Sequence, residues 1–174
     1  MFGKNHIRDL ILVRHGKAEV ADINTHDVDR KLVESGRKET MQLAEKLKSE
    51  HFSADLVVAS DARRASETAI IIAGSIGYPE DNIVLLPSLY LADEESIYSE
   101  IYAFPDMIQK VVLVGHNPGL TNFVNLFLDS PVGSMETSSM VKLQFSSNRW
   151  TDIKPGTCKM AQWFVARPSE SIFK

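Results

Sequence analysis

Three short apolar runs end in cationic or imidazole side chains, and that arrangement restricts both the fold and the chemistry open to this chain. Leu10-Ile11-Leu12-Val13 runs into Arg14-His15-Gly16, Leu56-Val57-Val58-Ala59-Ser60 into Arg63 and Arg64, and Val111-Val112-Leu113-Val114 into Gly115-His116-Asn117-Pro118. Continuous apolar runs of this length suit strands buried on both faces, as in a parallel sheet covered by helices. In an open parallel sheet the carboxyl ends of the strands share one edge. The three segments then deliver two imidazoles and two or three guanidinium groups to one crevice.

The intervening sequence supplies the covering layers. Lys17 to Lys31 is polar and reads as a loop, whereas from Glu34 to about His51 Thr40, Leu43, Ala44 and Leu47 recur at helical spacing. A second strand is expected over Asp55 to Ala59, then a mostly apolar helix from Ala65 to Ile76 closed by Gly77 and Pro79. Ile83 to Leu86 reads as a third strand, followed by a helix marked by Ile97, Ile101 and Phe104 and stopped by Pro105. After the fourth strand, Val111 to Val114, Asn117 is expected as an N-cap with Pro118 at the first helical position, and Leu120, Phe123, Val124 and Phe127 form the buried stripe. Met140 to Phe145 alternates apolar and polar, Asn148 and Arg149 suggest a turn, and Ala161 to Ala166 is a last apolar run. Alternating strands and helices with a hairpin-like end predict an α/β sandwich with a mainly parallel sheet and one antiparallel member.

Composition narrows the function classes. A chain of 174 residues with 44% hydrophobic residues can bury a full core, and a single domain over residues 1–174 is expected. A net charge of −4 argues against the broad basic surface of a nucleic-acid binder. The single cysteine, Cys158, excludes an internal disulfide framework and fits a reducing compartment. The apolar runs are far too short to span a bilayer. A soluble cytoplasmic protein, with no membrane partner, is the expectation.

Each candidate residue alone has an ordinary reading. Arg14 could sit in a structural salt bridge, His116 could be a hydrogen-bonded structural histidine, and Arg63 is expected to be a solvated surface residue. The joint occurrence at three strand-to-helix junctions points instead to phosphoryl chemistry. Phosphoryl transfer asks the protein for an in-line nucleophile and positive charge on the equatorial oxygens. A neutral imidazole, with an ordinary pKa of about 6.5, is a nucleophile near neutral pH without further activation. His15 is the expected nucleophile, with Arg14 and Arg64 clamping phosphate oxygens in bidentate fashion and His116 adding a donor. Gly16 would let the backbone approach the ligand, and the helix start at Asn117 would favour an anion beside it. A metal site is not expected: the neighbouring arginines disfavour a divalent cation, and no third ligand stands at suitable spacing. Nor is Cys158 a thiolate phosphatase nucleophile, because Lys159-Met160-Ala161-Gln162-Trp163-Phe164 follows it where an arginine-bearing loop would be needed.

These residues also carry a family resemblance. Leu12-Val13-Arg14-His15-Gly16-Lys17-Ala18 resembles the Arg-His-Gly signature of the histidine phosphatase superfamily, which includes the phosphoglycerate-mutase-like enzymes. Ser60-Asp61-Ala62-Arg63-Arg64-Ala65-Ser66-Glu67-Thr68-Ala69 resembles its Ser-x-x-x-Arg-Ala-x-Gln-Thr-Ala segment, and Val114-Gly115-His116-Asn117-Pro118 its second-histidine motif. Short length, Asp29-Arg30-Lys31-Leu32-Val33-Glu34-Ser35-Gly36-Arg37, and Trp150 with Pro155-Gly156 resemble the SixA-like phosphohistidine phosphatases. The resemblance implies a phosphoglycerate-mutase-like three-layer α/β/α sandwich, a phosphohistidine at His15, a phosphate role for Arg64 rather than Arg63, and no cofactor. Two departures stand out: Glu67 replaces the usual glutamine, and Lys17 stands where a small acid is common. Larger relatives supply a general acid after the third strand; Asp93, Glu94 and Glu95 occupy that region here and also suit a charged helix start.

The minimal length and the lack of a dedicated acid favour phosphohistidine on a protein substrate. A phosphoramidate nitrogen is protonated before its bond breaks and needs less help than an alkoxide. The alternatives are a small-molecule phosphomonoesterase or mutase with the same cluster, and a non-catalytic phosphate-binding module.

Overall fold

The computed structural model describes residues 6–166. Its centre is a six-stranded sheet of β1 (Ile7–Arg14), β2 (Leu56–Ser60), β3 (Val84–Leu86), β4 (Lys110–Gly115), β5 (Ser139–Ser146) and β6 (Cys158–Val165), in the order β3-β2-β4-β1-β5-β6. β1 pairs in parallel with β4, β4 with β2 and β2 with β3, while β5 runs antiparallel to both β1 and β6. β5 is thus the expected single strand of opposite direction. Residues 10–13 of β1 are fully buried because both faces of the strand are covered. Leu10 and Leu12 point to one layer, Ile11 and Val13 to the other. Truncating one of these leucines would cost about 2–5 kcal/mol.

The helices split between the two faces. α1 (Glu34–Ser49) and α2 (Arg63–Ile76) lay Leu43, Ala44, Leu47, Ala65, Ala69 and Ile72 against one side. α3 (Glu94–Tyr102) and α4 (Gly119–Asn125) cover the other with Ile97, Ile101, Leu120, Phe123 and Val124. This is the three-layer α/β/α arrangement expected from the family resemblance. Lys46 and Lys48 in the last turn of α1 complement its dipole, and the Asp93 carboxylate caps α3 by accepting from Ser96 N at 2.8 Å.

Several expected boundaries shift. β1 begins three residues before the apolar run, at Ile7, because Ile7, Arg8 and Asp9 pair with Ser146, Phe145 and Gln144 of β5. β6 begins at Cys158 rather than Ala161, paired to β5 through a register shift at Gln144/Phe145. Asn117 is not the N-cap of α4. That position is taken by Pro118, which follows a cis Asn117–Pro118 peptide, and the helix ends at Asn125, before Phe127.

Candidate active site

The topology brings the carboxyl ends of β1, β2 and β4 to one edge, where the start of β5 also arrives because that strand runs the other way. A cleft of about 550 Å³ opens there, lined by Arg14, His15, Lys17, Asp27, Arg30, Arg64, Tyr90, Leu91, His116, Asn117 and Thr137 among others. Arg14, His15, Arg64, His116 and Asn117, the five residues expected from the sequence, all line it. Cys158 lies elsewhere, half-buried at the start of β6, its thiol pKa raised by burial.

His15 follows the last residue of β1 and is held on both sides: its N–H donates to Gly115 O at 3.2 Å, and its carbonyl accepts from Ser138 N at 3.3 Å. The ring Nδ1 lies 2.7 Å from Gly16 O. A carbonyl only accepts, so Nδ1 carries the proton and Nε2 keeps its lone pair. Arg64 Nε–H donates to that Nε2 at 3.3 Å. Burial, with smaller contributions from Arg64 and Arg14, lowers the His15 pKa to about 4. The ring is a neutral nitrogen nucleophile throughout the neutral range.

The His116 ring is tilted beside it, 5.0 Å away between centroids. His116 Nε2 lies 2.8 Å from Ser60 Oγ at the end of β2, and Nδ1 is buried without a hydrogen-bond partner among the described residues. Burial pushes the His116 pKa down to about 3. A buried polar nitrogen left unpaired is costly unless something else meets it. In a pocket lined by arginines, an anion is the natural complement.

The guanidinium groups differ in how much of each remains free. Arg14 donates from Nη1 to Met135 O at 2.6 Å, and its buried Nε has no partner among the described residues. Arg64, in the first turn of α2 and 2% exposed, gives Nη1 to Asp27 O at 2.6 Å and Nη2 to Asp27 Oδ2 at 2.9 Å. Its expected clamp is therefore limited in this conformation to the edge bearing Nε. Arg63 points outward and pairs with Glu67, as expected of a surface residue.

Two expectations change role. Asn117 donates both Nδ2 hydrogens, to Ser134 Oγ and Met135 O at 2.9 Å each, and its Oδ1 accepts from Thr121. In this conformation no side-chain donor remains for a phosphate. Asn117 instead fixes the Met135 carbonyl that Arg14 also uses. At Gly16, a Cβ would fall 2.7 Å from Thr40 Oγ1 and 3.0 Å from Gly36 O, so the glycine serves the packing of α1 rather than ligand approach. Asp93, Glu94 and Glu95 stay outside the cleft at the start of α3.

Asp27, Arg30 and Tyr90 are among the residues that enter the site unanticipated. Asp27 and Arg30 come from the polar loop after β1, and Tyr90 from the segment after β3. The segment that carries Tyr90 packs closely on the start of α4, where a Cβ at Gly119 would lie 1.8 Å from Ala92 O. Tyr90 OH donates to Asp27 Oδ2 at 2.6 Å, and its ring meets His116 edge-on at 5.6 Å. The usable signal for Tyr90 was its position just past the carboxyl end of another parallel strand.

The fold agrees with what comparison finds. Residues 10–89 match the model of the histidine phosphatase superfamily (branch 1). That match takes in the segments that carry Arg14, His15 and Arg64, and the fold is that of the phosphoglycerate-mutase-like enzymes. A structure assigned as the phosphohistidine phosphatase SixA of Agrobacterium tumefaciens superposes with a TM-score of 0.71 at 27% identity, covering 78% of this chain and 90% of that one. The protein histidine phosphatase SixA complexed with tungstate has a TM-score of 0.73 at 19% identity, covering 91% and 96%. An uncharacterized chloroplastic protein of Arabidopsis thaliana is 28% identical over 95% of this chain and 80% of its own length. The mitochondrial serine/threonine-protein phosphatase Pgam5 of Drosophila ananassae is 39% identical over 44% of this chain, about a quarter (26%) of that relative.

Proposed function

We propose that this chain is a phosphatase that passes a phosphoryl group through His15 Nε2, and that its substrate is phosphohistidine on another protein. The carrying observation is His15 itself: a neutral ring with Nδ1 committed to Gly16 O and an Nε2 lone pair facing Arg64 Nε at 3.3 Å. In the first step the lone pair attacks phosphorus. The bond to the leaving imidazole nitrogen breaks, its electron pair staying on that ring, whose other nitrogen has taken a proton from solvent. In the second step water attacks the phosphohistidine at His15, the electron pair returns to Nε2, and both water hydrogens leave with dihydrogen phosphate. Arg14, Arg64 and the unpaired Nδ1 of His116 supply the donors for the phosphoryl oxygens.

A protein substrate is supported by the surroundings of the cleft. The loop carrying Asp27 and Arg30 also exposes Val20 and Ile23, at 87% and 101%. Exposed apolar side chains on the loop that also supplies the cleft with Asp27 and Arg30 suit a phosphorylated side chain presented by a protein surface. The absence of Asp93, Glu94 and Glu95 from the cleft lining agrees with a leaving group that needs no dedicated acid. The local 39% identity to Pgam5 favours a second reading, phosphoserine or phosphothreonine on a protein.

The test is a side-by-side time course with a phosphohistidine-bearing phosphotransfer domain, a phosphoserine peptide, para-nitrophenyl phosphate and sugar phosphates. Preference for the phosphohistidine domain is expected. Brisk hydrolysis of sugar phosphates with the phosphoproteins left intact would overturn it. Among the described residues no helix is long and apolar enough to cross a membrane. We propose the cytoplasm as the compartment, which fractionation tests against the plastid location of the Arabidopsis relative.

A further inference from the structure

An acid in the wall of an anion cleft needs a reason, and Asp27 is the one carboxylate among the residues lining this cleft. A guanidinium presents two useful edges, one formed by its two terminal nitrogens and one by Nε with a terminal nitrogen. Asp27 takes the first edge of Arg64 entirely: the backbone carbonyl accepts from Nη1 at 2.6 Å and Oδ2 from Nη2 at 2.9 Å. The second edge is thereby turned to His15, with Nε 3.3 Å from Nε2. An arginine carries several rotatable bonds, and two contacts at its far end fix both its reach and the plane of its fork.

Asp27 is itself secured from two further directions. Tyr90 OH donates to Oδ2 at 2.6 Å, and Arg30 Nη2 pairs with Oδ1 at 2.8 Å. The Tyr90 hydrogen bond, then Arg64, hold the Asp27 carboxyl down at about 2, so it stays ionised at any pH where the protein works. Its three partners come from the loop after β1, the first turn of α2 and the segment after β3, so the carboxylate ties together three of the segments that build the cleft. A mere counter-ion would not need the backbone carbonyl as well.

We propose that Asp27 is the positioning residue for Arg64: it grips the terminal-nitrogen edge and so aims the Nε edge at the phosphoryl group travelling to His15. The inference rests on the reading of the cleft as a phosphoryl-transfer site. Asp27 makes no contact with the phosphate. Its removal should slow transfer rather than loosen oxyanion binding, because taking away a negative charge also removes a repulsion.

The test is a double-mutant cycle on the full chain, read by para-nitrophenyl phosphate turnover and by calorimetric binding of tungstate. Asp27→Ala should lower kcat by about 100-fold, the loss expected when a reacting geometry slips by about an ångström. The tungstate Kd should stay within about threefold of wild type or tighten, since a lost repulsion offsets a looser fork. In an Arg64→Ala background the same change should cost less than about twofold, because residues acting as a unit are not additive. Asp27→Asn, of the same shape, should fall between and guards against misfolding of the alanine variant. Unchanged kcat in Asp27→Ala, or a full loss repeated in the Arg64→Ala background, would overturn the proposal. A wild type that neither binds tungstate nor turns over any phosphorylated compound would overturn the phosphoryl reading beneath it.

Discussion

β1 carries an arginine near each end, and the two have opposite fates. Arg8, at the amino end, is 1% exposed, donates from its terminal nitrogens to the carbonyls of Asp106, Ile108 and Asn148, and lies over the Trp150 ring at 5.2 Å. Arg14, at the carboxyl end, has one carbonyl, Met135 O, and opens onto the cleft. Both leave Nε unpaired among the described residues, so an orphaned Nε alone distinguishes nothing. The difference lies in the terminal nitrogens: three of their N–H groups go to backbone carbonyls at one end, and one at the other, where the rest open onto the cleft. A buried guanidinium whose terminal nitrogens are held by backbone carbonyls holds the fold, whereas one that keeps terminal donors beside a histidine nucleophile is available to an anion.

That contrast is sharpened first by truncating each arginine. Arg14→Ala should lose about 3 kcal/mol of transition-state stabilisation, roughly 100-fold in kcat/KM, with the melting temperature nearly unchanged. Arg8→Met should do the reverse, costing about 2 kcal/mol in denaturant unfolding as buried carbonyls lose their donors, with kcat within about twofold of wild type. Equal effects of both variants on activity would erase the distinction between the two ends.

Acid should also separate the two ends, because His15 and His116, both with depressed pKa values, lie at the carboxyl edge. Both fold with pKa values below the ordinary 6.5, His15 at about 4 and His116 at about 3, so the unfolded chain binds those protons more readily. Their contribution to stability is complete above about pH 6.5 and declines as pH falls toward 4. The decline should be shallower in His116→Gln, measured by unfolding at pH 5 and pH 7. In kcat/KM the acid limb should appear near pH 4 as the pair takes up its first proton.

Smaller effects test the supports. Glu67 accepts from Leu32 N and Arg37 at 2.9 Å each and from Arg63 at 3.0 Å, bracing the loop that carries Asp27 and Arg30. With two arginines on it, a carboxylate suits this position, which explains the departure from glutamine. Glu67→Gln should cost about 1 kcal/mol of stability and little activity. Cys158→Ser, outside the cleft, should change stability by less than about 1 kcal/mol and leave turnover intact.

The strands β1, β2 and β4 were legible because burial on both faces writes itself as an uninterrupted apolar run, and the junction residues followed from the rule that parallel strands share a carboxyl edge. The presence of one reversed strand was legible from the hairpin-like end, with Met140 to Phe145 and Ala161 to Ala166 on either side of a turn at Asn148 and Arg149. Arg8 was not, because nothing local distinguishes an arginine facing three carbonyls about a hundred or more residues away from one facing water. Asp27 was hidden for the same reason: its partners Arg64 and Tyr90 stand 37 and 63 residues along the chain. Applying the shared-edge rule to the end of β3 as well would have found Tyr90. Asn117 misled because its type and its place before proline suit a cap, while its side chain is spent on the 134–135 segment.

The central claim is that His15 Nε2 carries the phosphoryl group. Rapid quench with a phosphohistidine donor, followed by mass spectrometry under alkaline conditions where phosphohistidine survives, should find the label on His15 within one turnover and none in His15→Ala. Turnover without any label on His15, or a label that persists in His15→Ala, would contradict it.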